Sequence, residues 1–150
     1  MYIRDLHFTI PATWYLLRTM DIQVATLCDS AADYHGKLCV LGAFDTIMAP
    51  RVPAVHPQCA VALRVVFRKE EEGEHGMSVR IIDEDGQNIV PPIQARVNVQ
   101  IPERVFFLSR NAILNLQQLK FPKAGLYAVE IAFDEEACVS VPLQVRILEQ

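Results

Sequence analysis

From residue 58 onward the chain alternates apolar and polar or small positions with a period of two. In Gln58–Arg68 the set Cys59, Val61, Leu63, Val65 and Phe67 interleaves with Ala60, Ala62, Arg64, Val66 and Arg68. Side chains of a strand point alternately to its two faces, so the first set is expected in a core and the segment reads as a central strand. The same period places Ile22 and Val24 inward on a strand from Ile22 to Cys28, Met77, Val79 and Ile81 on Met77–Asp83, and Ala95, Val97 and Val99 on Gln94–Gln100. It recurs at Leu114 and Leu116, at Tyr127, Val129, Ile131 and Phe133, and from Val139 to Ile147. Leu38 to Asp45 is instead a nearly unbroken apolar run, the pattern of a strand covered on both faces. The total is about eight or nine short strands with no helix longer than a turn or two, which predicts an all-β, two-sheet antiparallel sandwich.

Breakers divide these runs. Pro50, Pro53 and Pro57 mark residues 46–57 as a loop, because proline cannot donate to the ladder of a central strand. Lys69–Gly76 reads as a charged hairpin tip, Asp83–Gly86 as a tight turn, and Asp134–Ala137 as another. Phe106 and Phe107 are expected to cap one end of the core. Residues 1–19 follow no sustained period. They read as an N-terminal arm or an extra edge strand (Leu6 to Ile10, docked through Phe8 and Trp14), with the arm preferred and the domain spanning 20–150.

The stretch Leu114–Val129 refines the fold. Leu114, Leu116 and Leu119 lead into a turn, then Gly125 and Tyr127, two residues before Val129. This spacing resembles the E–F corner of immunoglobulin-like domains, in which a tyrosine ties the corner to the following strand. Two positions depart from that pattern. Lys123 stands where an acidic residue is usual and Val129 where the inter-sheet cysteine is usual, so neither the ion pair nor the disulfide is expected. The resemblance implies an immunoglobulin-like antiparallel β-sandwich, with the Tyr127 hydroxyl bonded to backbone between Leu119 and Lys123.

Composition limits the function classes. Apolar residues make up 51 % of 150 positions, enough for one domain with its own core rather than a disordered chain. A formal charge of −4 offers no electrostatic case for nucleic acid or an anionic membrane as partner. No apolar run is long enough to span a bilayer, and Trp14–Leu17 is too short for a secretory signal, so a cytoplasmic protein with reduced cysteines is expected.

Candidate chemistry is sparse. Cys28, His35, Cys39, His56 and Cys59 fall in the first half, but without the paired spacing of zinc sites, so neither metal nor cofactor is expected. Ser30, Ser109 and Ser140 lack a nucleophile elbow, and no phosphate-binding glycine motif is present. The chain therefore reads as a non-enzyme. The run from Lys37 to Asp45, followed by Pro53-Ala54-Val55-His56-Pro57, resembles a family of short bacterial proteins known only as a domain of unknown function. That likeness extends from about Met20 to the C-terminus. It implies the same sandwich and supplies no activity. The preferred reading is a cytoplasmic interaction or accessory module that binds a protein partner or itself, because Ala60, Ala62, Ile82, Leu126, Ala128 and Ala132 are apolar on outward positions. The alternative is a small-ligand or metal-binding protein using Asp45, Arg51 and His56 about the proline-rich loop, with Asp45 and His56 approaching across its base.

Overall fold

The computed structural model describes residues 20–149. Nine strands form two sheets: β1 (Asp21–Tyr34), β2 (Lys37–Phe44), β3 (Thr46–Ala49), β4 (Ala54–Arg68), β5 (Gly73–Asp83), β6 (Ile93–Val99), β7 (Phe107–Phe121), β8 (Gly125–Phe133) and β9 (Glu136–Ile147). One sheet has the order β2-β1-β4-β7, the other β3-β9-β8-β5-β6. The arm or edge strand expected at 1–19 lies outside the described residues. Among the described residues no helix is long and apolar enough to cross a membrane.

The inward sets of the alternating strands meet between the sheets. Cys59, Val61, Leu63, Val65 and Phe67 of β4 are buried there with Met77, Val79 and Ile81 of β5 and Val129, Ile131 and Phe133 of β8. Phe67 meets Phe133 edge-on at 6.3 Å between ring centroids, a favoured aromatic geometry. The corner forms as its spacing predicts. The Tyr127 hydroxyl donates to the Lys123 carbonyl at 2.7 Å and accepts from the Lys123 amide at 3.4 Å, while its ring packs edge-on against Phe121 at 5.1 Å. A buried phenol is thereby satisfied without water.

Four expectations are corrected. Thr46–Ala49 is a strand, not part of a loop, and it pairs parallel with β9, so the pairing is not wholly antiparallel. Pro57 lies inside β4. It is tolerated because β1 pairs with β4 only from Ala60 to Val66, whereas at Pro57 the strand has β7 alone beside it. Phe106 and Phe107 do not cap the core: they are exposed, Phe106 to 92 %. Finally, β2 is an edge strand, and most of Leu38–Phe44 is exposed rather than covered on both faces.

The last correction has a structural cause. Beyond Cys28 the β1–β2 hairpin lies over the outer face of β4, and Ala31 and Leu38, with Ile113 of β7, pack onto Cys28, Ala60 and Ala62. Ala60 and Ala62 are completely buried, so a second small core exists outside the main one. Side chains as small as those of Ala60 and Ala62 leave room for a strand to approach closely. Where the hairpin bends, Gly42 has φ +67°, and a Cβ there would lie 2.5 Å from Asp29 Oδ2, so any side chain would be strained and would displace Asp29.

Candidate functional site

The three side chains expected to form a site do not converge. Asp45 is exposed just after β2, and its carboxylate accepts from the Thr46 hydroxyl at 2.8 Å. Arg51 is exposed in the turn after β3. His56 sits within β4, where its ring leans on Phe44 with centroids 5.4 Å apart. Arg51 and His56 share a shallow cleft of about 410 Å³ with Ile47, Ala49 and Pro53, and Asp45 is not among its walls. Among the described residues no hydrogen bond joins His56 to Asp45, so the expected closure across the loop base is not made. Instead His56 Nε2 is buried with no hydrogen-bond partner among the described residues. Buried ring nitrogens are normally satisfied, which makes this atom the polar anomaly of the cleft.

A better-formed titratable cluster lies elsewhere. His75, early in β5, has Nδ1 2.7 Å from Asp134 Oδ2 and Nε2 2.7 Å from the Glu71 carbonyl oxygen, and its ring stacks on Phe67 at 5.7 Å. Asp134 also accepts from the Gly76 amide at 2.9 Å. Burial alone would disfavour the charged imidazole. The hydrogen bonds to Asp134 and to the Glu71 carbonyl outweigh it, and the His75 pKa is raised above its ordinary value. The same contact with His75 holds the Asp134 pKa down. A depression of about 710 Å³ adjoins the pair, between Gly76, Ser78, Gln94, Arg96 and Asp134. Because both ring nitrogens face acceptors, His75 has no nitrogen left for a ligand in that space. The cluster fastens β5 to the β8–β9 turn. Sequence reading assigns Lys69–Gly76 and Asp134–Ala137 to two solvated turns and finds no link, since 59 positions separate the partners.

The third region is the β1–β2 hairpin. His35 and Gly36 have φ of +50° and +78°, the left-handed pair required by a two-residue turn that matches strand twist. Its tip is clasped to the sheet beneath. Arg64 of β4 donates to the Gly36 carbonyl at 2.8 Å, to Asn111 Oδ1 at 2.8 Å and to Gln23 Oε1 at 3.1 Å. Asn111 donates in turn to Asp33 Oδ2 at 2.7 Å, and the Gly36 amide donates to Asp33 Oδ1 at 2.8 Å. These bonds hold the Asp33 pKa below its usual range. Held this way, β2 has β1 on one side and no strand of the described residues on the other. Val40 and Leu41 are exposed along it, Leu41 to 71 %.

Of the four sheet edges among the described residues, the other three carry guards. Strand β3 is four residues long and is followed by Pro50; β6 follows Pro91-Pro92 and carries Arg96; β7 carries Arg110 and Lys120. From Leu38 to Phe44, β2 has neither charge nor proline. An unguarded apolar edge is a template for adding another strand.

The cysteines do not gather. Cys28 and Cys59 are buried, Cys39 and Cys138 exposed, and all four are free. Among the described residues no group of three or more His, Cys, Asp or Glu side chains is placed to hold a metal ion.

No curated protein matches the chain. Among solved structures it is similar to a Pseudomonas fluorescens alkylpurine DNA glycosylase, AlkC, bound to DNA containing an abasic site analogue, with 7 % identity and a TM-score of 0.43. That similarity covers 85 % of this chain and only 30 % of the glycosylase, so the chain spans less than a third of that protein's length. Residues 23–146 match the model of a family of unknown function (DUF6941), so the strands, the corner and the clasped hairpin described above are those of a member of that family.

Proposed function

We propose that this chain is a cytoplasmic, non-enzymatic interaction module on an immunoglobulin-like sandwich, and that it engages a protein partner by strand addition along β2. The fold reading rests on connectivity. Strands β1-β4-β7 follow the A-B-E order of an immunoglobulin domain and β9-β8-β5 its G-F-C order, with the Tyr127 corner opening the F-like strand. The functional reading rests on one observation, the unguarded apolar edge of β2 held rigidly over the sheet by the Arg64 clasp. In strand addition, main-chain hydrogen bonds supply affinity and alternate side chains supply selection. Four free thiols suit a reducing compartment.

The test uses the wild-type chain and Leu41→Lys as baits in the native cell, with quantitative mass spectrometry of what co-purifies. Leu41 is exposed, so the substitution leaves the fold intact while placing charge on the edge. Partners held by wild type and lost from the variant are the expected result. An identical partner set for both chains would remove β2 as the binding edge.

A second reading is favoured by His56 alone. Its unpartnered Nε2 in a cleft shared with Arg51 suits a small anion that both side chains would hold. Titration with inorganic phosphate and with acetate, followed by NMR of the His56 ring, tests this: a saturable shift abolished by Arg51→Ala is expected. Unmoved ring signals would exclude it.

A further inference from the structure

Resting on the reading of β2 as a binding edge, we infer that the strand it accepts is the β2 of a second copy of this chain, paired antiparallel about a two-fold axis at Leu41. The first ground is charge. Lys37 opens β2 and Asp45 follows its last residue, with no charged side chain between them. A two-fold axis at Leu41 brings Lys37 of each copy opposite Asp45 of the other, whereas a parallel arrangement would set like charges side by side. The Asp45 carboxylate is exposed and, among the described residues, accepts from the Thr46 hydroxyl alone, which leaves it acceptor capacity for an ammonium.

The second ground is backbone parity. A two-residue turn closes on a hydrogen-bonded pair, here Tyr34 with Lys37. Alternate residues then aim their backbone groups away from β1, and Leu38 and Val40 are such residues. The same axis sets Val40 against Gly42 and Leu38 against Phe44 of the other copy, and Gly42 presents no side chain to obstruct the incoming strand. The third ground is the surface that results. Cys39, Leu41 and Ala43 are exposed on the hairpin face turned away from Ala60 and Ala62. Pairing about Leu41 makes cross-strand neighbours of Leu41 with Leu41 and of Cys39 with Ala43. A row of apolar side chains otherwise left in water becomes a pair of packed contacts. The two four-stranded sheets join into one of eight.

Sedimentation velocity across a concentration series, on the full chain, provides the test. Wild type is expected to show a reversible monomer–dimer equilibrium. Leu41→Lys, which apposes two ammonium groups at the axis, is expected to be monomeric with an unchanged melting temperature. Lys37→Asp and Asp45→Lys each set like charges together twice, and each should weaken self-association roughly 3- to 30-fold, the range for two exposed ion pairs lost and reversed. An equimolar mixture of these two variants should then restore dimer, because one copy carries two acids and the other two lysines at the facing positions. A wild-type chain that stays monomeric overturns the inference. If Leu41→Lys still strips partners from the cellular bait, that result leaves the binding-edge reading standing with a different occupant. A dimer indifferent to Leu41→Lys overturns the edge, and a mixture that fails to recover overturns the antiparallel register.

Discussion

Strands β4 and β8 both carry alanines on the face turned away from the main core, and the two faces end differently. On β4, Ala60 and Ala62 are sealed beneath the β1–β2 hairpin. On β8, Leu126 is 62 % exposed, Ala128 and Ala132 are half-buried, and Glu130 between them pairs with Arg80 at 3.4 Å. The face of β8 is an ordinary outer surface with polar relief. The face of β4 is the floor of a second layer, and that layer carries the unguarded edge. A row of small side chains is therefore either incidental or a seat, and what lies on it decides which.

Charge placed on each face separates the two most strongly. Ala60→Asp buries a carboxylate under the hairpin with no cation beside it and should cost about 3 kcal/mol or more. Ala128→Glu on β8 should cost less than about 1 kcal/mol, as surface changes usually do. Urea denaturation of both variants reads the difference, and equal costs would mean the hairpin is not seated as described. Removing the clasp comes next. Arg64→Ala deletes the bonds to Gly36, Asn111 and Gln23 and should cost about 1–2 kcal/mol after discounting its partial exposure. Its signature is local: amide exchange should quicken from Ala31 to Val40 while β5 and β8 stay protected.

The main core supplies the contrast to that local effect. Tyr127→Phe removes the corner hydrogen bond and should cost about 1 kcal/mol, raising exchange throughout both sheets because the corner opens only when the domain does. Exchange confined to Pro122–Leu126 would contradict this. The smallest effect belongs to the fastener on the five-stranded sheet. His75 has its folded pKa raised above the unfolded value of about 6.5, so its contribution is fully present below that pH. It is lost as pH rises through the folded pKa. The melting temperature should thus decline modestly above about pH 6.5, and His75→Gln should flatten that decline without moving the hairpin's exchange.

How much of this was legible follows from what periodicity reports. Alternation identifies faces, so the inward set on β4, β5 and β8 and the Tyr127 corner were readable from local spacing. It does not report which remote segment covers a face, and each misreading has that origin. The apolar run in β2 arises because Leu38 faces Ala60 and Ala62 while Leu41 faces out; the sequence alone offered two covered faces. Thr46–Ala49 is ordered by β9, about 98 positions away, and Pro57 is admitted because β1 parts from β4 at Cys28. Phe106 and Phe107 looked like core by residue type alone. At the candidate site, Arg51 and His56 do share a cleft, but Asp45 was included on sequence proximity. The His75–Asp134 pair left no local signal at all.

The burial of two cysteines at different depths gives the molecule two chemical clocks. Thiolate is the form that reacts with alkylating reagents, and burial pushes the Cys59 pKa up to about 11 and raises that of Cys28 as well. In the native state only Cys39 and Cys138 are open to such reagents. Cys28 lies under the hairpin, with its thiol donating to the Ala60 carbonyl at 3.6 Å, whereas Cys59 belongs to the core between the sheets. Labelling of Cys28 therefore times the lifting of the hairpin, and labelling of Cys59 times the parting of the sheets. The ratio of the two rates measures how independently the outer layer moves from the domain that carries it.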